Sequence, residues 1–147
     1  MTNKAAMLVE GAKEWAANYG DFSNGSEGAV LTAPLRVRAA WGANDADAFA
    51  DMFIDNGSAL FGDRQLTSRE EIRQYMAEAF AAGWKGTRLI EEPREIKLLT
   101  ETSAVVIADG GVARDSEENF TFRTVWVVVK RDGDWRIASY QTSPVKN

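Results

Sequence analysis

The chain has no cysteine and no histidine. The first absence excludes disulfides and thiol nucleophiles. The second removes the Ser-His-Asp triad, and the two together remove the usual zinc ligands. An all-carboxylate site for a hard metal stays open in principle, but no D-x-D or EF-hand spacing lies in a suitable loop, so no metal or other cofactor is expected. No stretch approaches the roughly 18 consecutive apolar residues of a membrane-spanning helix. The opening M-T-N-K-A-A-M-L-V-E also lacks the long apolar segment of a secretory leader. An unexported, cytoplasmic protein is expected. Positive charge is scarce as well: 17 Lys and Arg stand against 22 Asp and Glu, a net charge of −5. That balance argues against nucleic acid or an anionic membrane as a partner. Linkers, repeats and low-complexity segments are missing too. A chain of 147 residues is therefore expected to fold as one domain, 1–147, with residues 1–28 as a helix-and-loop extension and 29–145 as the core.

What is present centres on residues 119–145. The run N-F-T-F-R-T-V-W-V-V-V-K-R is rich in β-branched and aromatic residues, which suit a pleated surface. Asp132-Gly133 then supplies the pair favoured in a two-residue type I′ turn. Such a turn sets the register, placing Val128 opposite Ile137, Trp126 opposite Ser139 and Thr124 opposite Gln141. One face of this hairpin carries Phe122, Thr124, Trp126, Val128, Ile137, Ser139, Gln141 and Ser143. The other carries Arg123, Val125, Val127, Val129, Arg136, Ala138, Tyr140 and Thr142. Both are substantially apolar, so both sides are expected to be covered. The first, which mixes bulky apolar with short polar groups, reads as a cavity wall. The second reads as a packing surface for another copy of the chain.

Upstream, Met7, Leu8, Ala12, Trp15, Ala16 and Tyr19 recur at helical spacing over 4–19, and the Gly/Ser-rich stretch 20–28 reads as a loop. A helix with Pro34 in its first turn and Val37, Ala40 and Trp41 on one side ends at Gly42. Asn44 is the expected cap of a short helix holding Ala48, Phe49, Met52 and Phe53. A short strand over 58–61 closes at Gly62-Asp63. Ser68-x-x-Glu71 is a capping box, followed by Ile72, Tyr75, Met76, Ala79 and Phe80 on one helical face, with Gly83 as the stop. Residues 87–92 and 95–100 read as one strand bent at Pro93, hence an edge or a bulge. Residues 103–108 form another strand, with Asp109-Gly110-Gly111 a turn within or after it. Helices segregated from a run of antiparallel strands make an α+β fold, a curved sheet wrapped on helices.

The order of these elements resembles a known superfamily. W-G-A-N-D-A-D-A-F-A-D-M-F, I-D-N-G-S-A-L-F, S-R-E-E-I-R-Q-Y-M and V-W-V-V-V-K-R-D-G-D-W-R-I-A-S-Y-Q-T-S are similar to the NTF2-like proteins, in their polyketide-cyclase and ketosteroid-isomerase-like branch. The closing R-D-G-D-W-R-I-A-S-Y-Q-T is especially similar to the small NTF2-like proteins of enediyne antibiotic clusters. The resemblance spans about residues 30–144 and implies a cone-shaped antiparallel sheet closed by helices, an apolar cavity, and a homodimer through the outer sheet face. It also implies a hydrophobic polyene or polyketide intermediate as ligand. In ketosteroid isomerases a carboxylate base faces a tyrosine and a protonated acid. Here those positions fall on Phe61, Val37 and near Thr124, and the supporting tyrosines fall on Phe53 and Met76. Apolar side chains replace most of that chemistry.

Other candidates come from the residues themselves. Asp63 is the one carboxylate sharing the Phe61 face if its strand persists, a weak catalytic candidate beside the reading of a turn aspartate bonded to its own backbone. Arg123 is expected to pair a neighbouring carboxylate. Trp126 among Thr124, Ser139 and Gln141 offers an apolar plate with polar handles, and the amide of Gln141 requires partners. Trp41, Trp84 and Phe80 complete the expected ligand-binding set. Three functions fit: binding and shaping a hydrophobic intermediate, a carboxylate-based cyclase or isomerase, and a protein-interaction module.

Overall fold

The structure, a computed structural model, describes residues 25–145. The helix expected over 4–19 lies outside the described residues. The first described element, α1 (Gly25–Val30), is helical where the Gly/Ser content suggested loop. Helix α2 (Thr32–Gly42) carries Pro34 in its first turn, where a missing N–H costs nothing, and ends at Gly42 as expected. Helix α3 (Ala46–Asp51) is capped by Asp45, whose carboxylate accepts from the Ala48 N–H at 3.0 Å. Asn44, expected in that role, instead takes a φ of 50°. Its amide donates to the Trp41 and Thr87 carbonyls and accepts from the Gly86 N–H at 2.7 Å. Asn44 thereby ties the loop after the last helix to the end of α2, which sets where Trp84 lies.

Strand β1 (Phe53–Phe61) begins well before the expected 58–61 and is followed by β2 (Arg64–Leu66), which sequence patterning did not suggest. Helix α4 (Arg69–Ala81) starts as its capping box dictates: the Ser68 hydroxyl accepts from the Glu71 N–H. The Glu71 carboxylate reaches one residue further back than the usual box, accepting from the N–H and hydroxyl of Thr67. Strand β3 (Arg88–Thr100) is a single edge strand whose register breaks between Pro93 and Glu95, in line with the expected bend. Strand β4 (Ser103–Ala113) runs straight through Asp109-Gly110-Gly111, where a turn was expected. The glycines are there for space. A Cβ on Gly111 would lie 2.1 Å from the Asn119 carbonyl oxygen, and one on Gly110 would lie 2.6 Å from the Phe122 ring.

Strands β5 (Phe122–Arg131) and β6 (Asp134–Pro144) form the central hairpin. Asp132 and Gly133 have φ of 53° and 79°, as the type I′ turn requires. The expected register holds from Arg131 opposite Asp134 to Val128 opposite Ile137, and then slips. Val127 pairs with Ser139, Trp126 with Tyr140 and Thr124 with Thr142, so Ala138 is an extra residue, a β-bulge. The slip corrects the expected face: Tyr140 and Thr142 point inward with Trp126, while Ser139 and Gln141 move to the outer face. The competing energies explain the outcome. Burying a tyrosine removes about 150–250 Å², which stabilises by roughly 4–6 kcal/mol. The ladder bond lost at a bulge is worth about 1 kcal/mol. Tyr140 is accordingly fully buried.

The sheet is six-stranded, in the order β2-β1-β6-β5-β4-β3, antiparallel except for the parallel β1–β6 pair. It is curved and unclosed, with β2 and β3 as its edges. Helices α2, α3 and α4 cover its inner face. Val37, Trp41, Phe49, Phe53, Met76 and Trp126 form the centre of the core between them.

Candidate functional site

At one end of this layer the helices and the sheet leave a pocket of about 490 Å³. Its walls are aromatic: Trp41 from α2, Phe61 from the end of β1, Tyr75 from α4, Trp84 from the loop after α4, Phe122 from β5 and Tyr140 from β6. Phe61 and Tyr75 stack with ring planes 3° apart and centroids at 5.2 Å. Trp84 packs on Trp41 at 4.7 Å and meets Phe61 edge-on at 5.3 Å. The Trp41 indole N–H donates to the Thr87 hydroxyl at 2.9 Å, which holds that ring in place. Thr142, also in the wall, donates its hydroxyl proton to the Leu60 carbonyl and is satisfied. A larger depression of about 620 Å³ lies elsewhere, around Leu98, Leu99, Lys130 and Trp135. No buried carboxylate or hydroxyl lines it, and the buried titratable groups Glu91 and Tyr140 lie at and behind the wall of the aromatic pocket.

There Tyr140 packs on Trp126 with centroids 4.2 Å apart. The Trp126 indole N–H donates to both carboxylate oxygens of Glu91, each at 2.9 Å. Glu91 comes from β3, opposite Gly110 in the ladder, and is the one carboxylate among the described residues with its side chain in the core. Burial pushes its pKa up to about 8, against the smaller opposing effects of the Trp126 N–H and the charge of Arg38. At neutral pH Glu91 is thus mostly a carboxylic acid. The Tyr140 phenol is raised well above its ordinary value, by burial first and by Glu91 second. It therefore stays protonated. Neither Tyr140 Oη nor Thr124 Oγ1 has a hydrogen-bond partner, and both are sealed from water. Interaction with the Thr124 hydroxyl opposes the rise at Tyr140. Buried hydroxyls are ordinarily paired, so two unpaired ones side by side call for a reason.

The expected site residues divide into groups. Trp41, Phe61 and Trp84 line the pocket. Trp126 and Thr124 lie on the inner face behind Tyr140 and are fully buried. Val37, Phe53 and Met76 are fully buried in the core, and Phe80 packs edge-on against Trp41 at 5.7 Å. Gln141 and Ser139 are corrected to the outer face, where the Gln141 amide donates to the Ser139 hydroxyl at 2.9 Å. Ser58 donates to the same Ser139 oxygen at 3.0 Å, so this cluster satisfies itself. Asp63 is an exposed residue of the β1–β2 turn and does not extend the strand into the pocket. Arg123 pairs with Asp109 at 2.9 Å on the outer face, as expected of it. Glu91 was not anticipated. The available signal was its period-two spacing from Leu89 in a strand-like run, which puts a carboxylate on the apolar face. Among the described residues no three carboxylates converge into a metal-binding group, and no helix is long and apolar enough to cross a membrane.

An α+β layer of helices on a curved open sheet, with a pocket at one end, is the cystatin-like or NTF2-like fold. A family model for the SnoaL-like domain matches residues 30–146, and the chain belongs to that family. Solved structures share the architecture at low identity. A domain of unknown function with a cystatin-like fold from Nostoc punctiforme is 22% identical, with a TM-score of 0.72 over 84% of this chain and 80% of its own. A putative scytalone dehydratase from Novosphingobium aromaticivorans is 18% identical, with a TM-score of 0.69 over 80% of this chain and 83% of its own. A ketosteroid isomerase-like protein from Erwinia carotovora atroseptica is 17% identical, with a TM-score of 0.67 over 84% of this chain and 99% of its own. At these identities the likeness concerns the fold. No match was found among curated proteins.

Proposed function

We propose that the protein binds a small hydrophobic, planar molecule in the aromatic pocket. The observation that carries this reading is the wall itself: six aromatic side chains, from three strands, two helices and the loop after α4, surround an open volume of about 490 Å³. Rings of this kind bind flat apolar surfaces by stacking and exclusion of water. A conjugated polyene or fused-ring polyketide fits that chemistry, in keeping with the resemblance to enediyne-cluster proteins and with the SnoaL-like family. A role in natural-product biosynthesis, holding such an intermediate in a fixed conformation, follows from the same reading. The outer face of β4 and β5 carries half-buried Val105, Ile107, Val125 and Val127, which supports a homodimer through that face. Sedimentation at micromolar concentration tests this part.

A second reading is a carboxylate-based cyclase or isomerase, and Glu91 replaces Asp63 as its candidate acid or base. What favours it is a protonated carboxyl buried directly behind the pocket wall.

The test is intrinsic tryptophan fluorescence, titrated with conjugated polyenes and fused-ring polyketides. Trp41 and Trp84 line the pocket, so saturable micromolar quenching is expected, weakened in Trp84→Phe. Val112→Trp, which fills the volume from the β4 side, is expected to abolish it. A response that never saturates, or that survives Val112→Trp unchanged, overturns the pocket assignment.

A further inference from the structure

We propose that the loop joining β4 to β5, residues 114–121, is a movable strap at the mouth of the aromatic pocket, latched by Arg88 and Arg114 to the loop that carries Trp84. The inference rests on the pocket reading and adds how a ligand enters and leaves.

The two loops are held in different ways. The Trp84 loop is fixed to the helices. The Trp84 N–H donates to the Ala79 carbonyl at 2.8 Å, and Asn44 binds both the Gly86 N–H and the Thr87 carbonyl. The 114–121 loop starts just after the wall residue Val112 and ends on the wall residues Thr121 and Phe122. Every residue from Arg114 to Thr121 is exposed, so burial does not set its course. Asp115 in it takes a φ of 53°, a sparsely populated conformation for a residue with a side chain.

Two guanidinium groups join these loops, running in opposite directions. Arg114 donates to the Gly83 carbonyl at 2.6 Å and to the Lys85 carbonyl at 2.9 Å, the residues on either side of Trp84. Arg88, at the start of β3, donates in return to the Asp115 and Glu117 carbonyls, each at 3.0 Å. The Glu117 carboxylate closes the turn by accepting from the Arg114 N–H at 2.9 Å. All four acceptors of the two guanidiniums are main-chain oxygens, so these bonds fix the path of the chain. A planar fork on two carbonyls sets direction as well as distance, which a lone surface charge does not.

The consequence is kinetic. Neither arginine lines the pocket, so the latch holds the strap equally well over an empty pocket and a filled one. Losing two exposed hydrogen bonds to a charged group raises the share of open straps about tenfold. Association and dissociation then quicken together, while Kd moves little. A residue that only props up a wall has another signature: faster dissociation and weaker affinity at an unchanged association rate.

The experiment is stopped-flow fluorescence with prodan, a neutral planar naphthalene dye, excited through the tryptophans of the full chain. Arg114→Gln is expected to raise both rate constants by about five- to tenfold, with Kd within about threefold of wild type. Arg88→Gln is expected to act in the same direction. Arg114→Lys, which keeps the charge and loses the fork, is expected to lie between wild type and Arg114→Gln. If one glutamine variant fails to fold, the other decides. Faster dissociation alone, or rates equal to those of wild type, overturns the latch and leaves the pocket standing. Absence of saturable prodan binding by the wild type removes pocket and latch together.

Discussion

The two faces of the β5–β6 hairpin treat their polar groups in opposite ways. Outside, Ser58, Ser139 and Gln141 bond to one another in a closed set beside water. Inside, Glu91 and Trp126 pair, while Tyr140 and Thr124 are buried with unpaired hydroxyls. Strand β6 contributes to both sets, so the difference lies in how far the polar groups are paired. A satisfied cluster stabilises a fold, whereas an unsatisfied one costs free energy that folding alone does not recover. Pairing is thus complete on the outer face and incomplete on the inner one, and substitutions can widen or erase that contrast.

The largest effect is expected at Glu91 and depends on pH. Its carboxyl has a native pKa of about 8, raised from an ordinary 4.5. Below the ordinary value both folded and unfolded chains hold the proton, and Glu91 adds no pH dependence. Between the two values the unfolded chain ionises while the native chain keeps its proton. Stability therefore falls as pH rises, by roughly 1 kcal/mol per pH unit, until the native carboxyl ionises as well. Glu91→Gln is expected to remove this fall, so its advantage over wild type grows to several kcal/mol by about pH 9. Urea denaturation at three pH values measures it, and parallel curves for the two proteins would show that Glu91 is not the titrating group.

Trp126→Phe comes next. It deletes the N–H bonded to Glu91 and leaves a gap behind Tyr140, an expected loss of about 2–4 kcal/mol. Because that N–H holds the Glu91 pKa down, the pH-dependent fall in this variant is also expected to start at the same pH and extend to higher pH. Thr124→Val, close to isosteric, removes an unpaired hydroxyl and is expected to stabilise by about 1 kcal/mol. The smallest effect is expected outside: Gln141→Ala breaks a half-exposed hydrogen bond and is expected to destabilise by about 0.5 kcal/mol. Thermal melts in parallel give the signs. A loss in Thr124→Val, or a gain in Gln141→Ala, would reverse the assignment of the two faces.

The reason the inner cluster was hidden in the sequence is local. The hairpin turn, its two strands, the capping box at Ser68 and the bend at Pro93 are short-range features, and residue patterns reveal them. The bulge at Ala138 is decided at long range, by the gain from seating Ile137 and Tyr140 against helices that come from elsewhere in the chain. A strict alternation puts Gln141 inside and Tyr140 outside, and one extra residue reverses both. Glycines at 110 and 111 read as a turn because a sequence does not display the Phe122 ring and Asn119 carbonyl that forbid a side chain there. Glu91 escaped for a related reason: a lone glutamate in a strand is usually solvated, and its partner Trp126 lies two strands away. Trp41, Phe61 and Trp84, by contrast, were legible as large aromatics at element ends, and they line the pocket.

The most direct test of the central claim is the unfolding free energy of Tyr140→Phe against wild type. The ring, its packing on Trp126 and the bulge are all preserved, and the hydroxyl alone is removed. If that hydroxyl has no partner within the protein, the variant is as stable as wild type or more stable by about 1 kcal/mol. A loss of more than about 1 kcal/mol would mean that the hydroxyl is already bonded within the protein, and the inner face would then be as closed a structural set as the outer one.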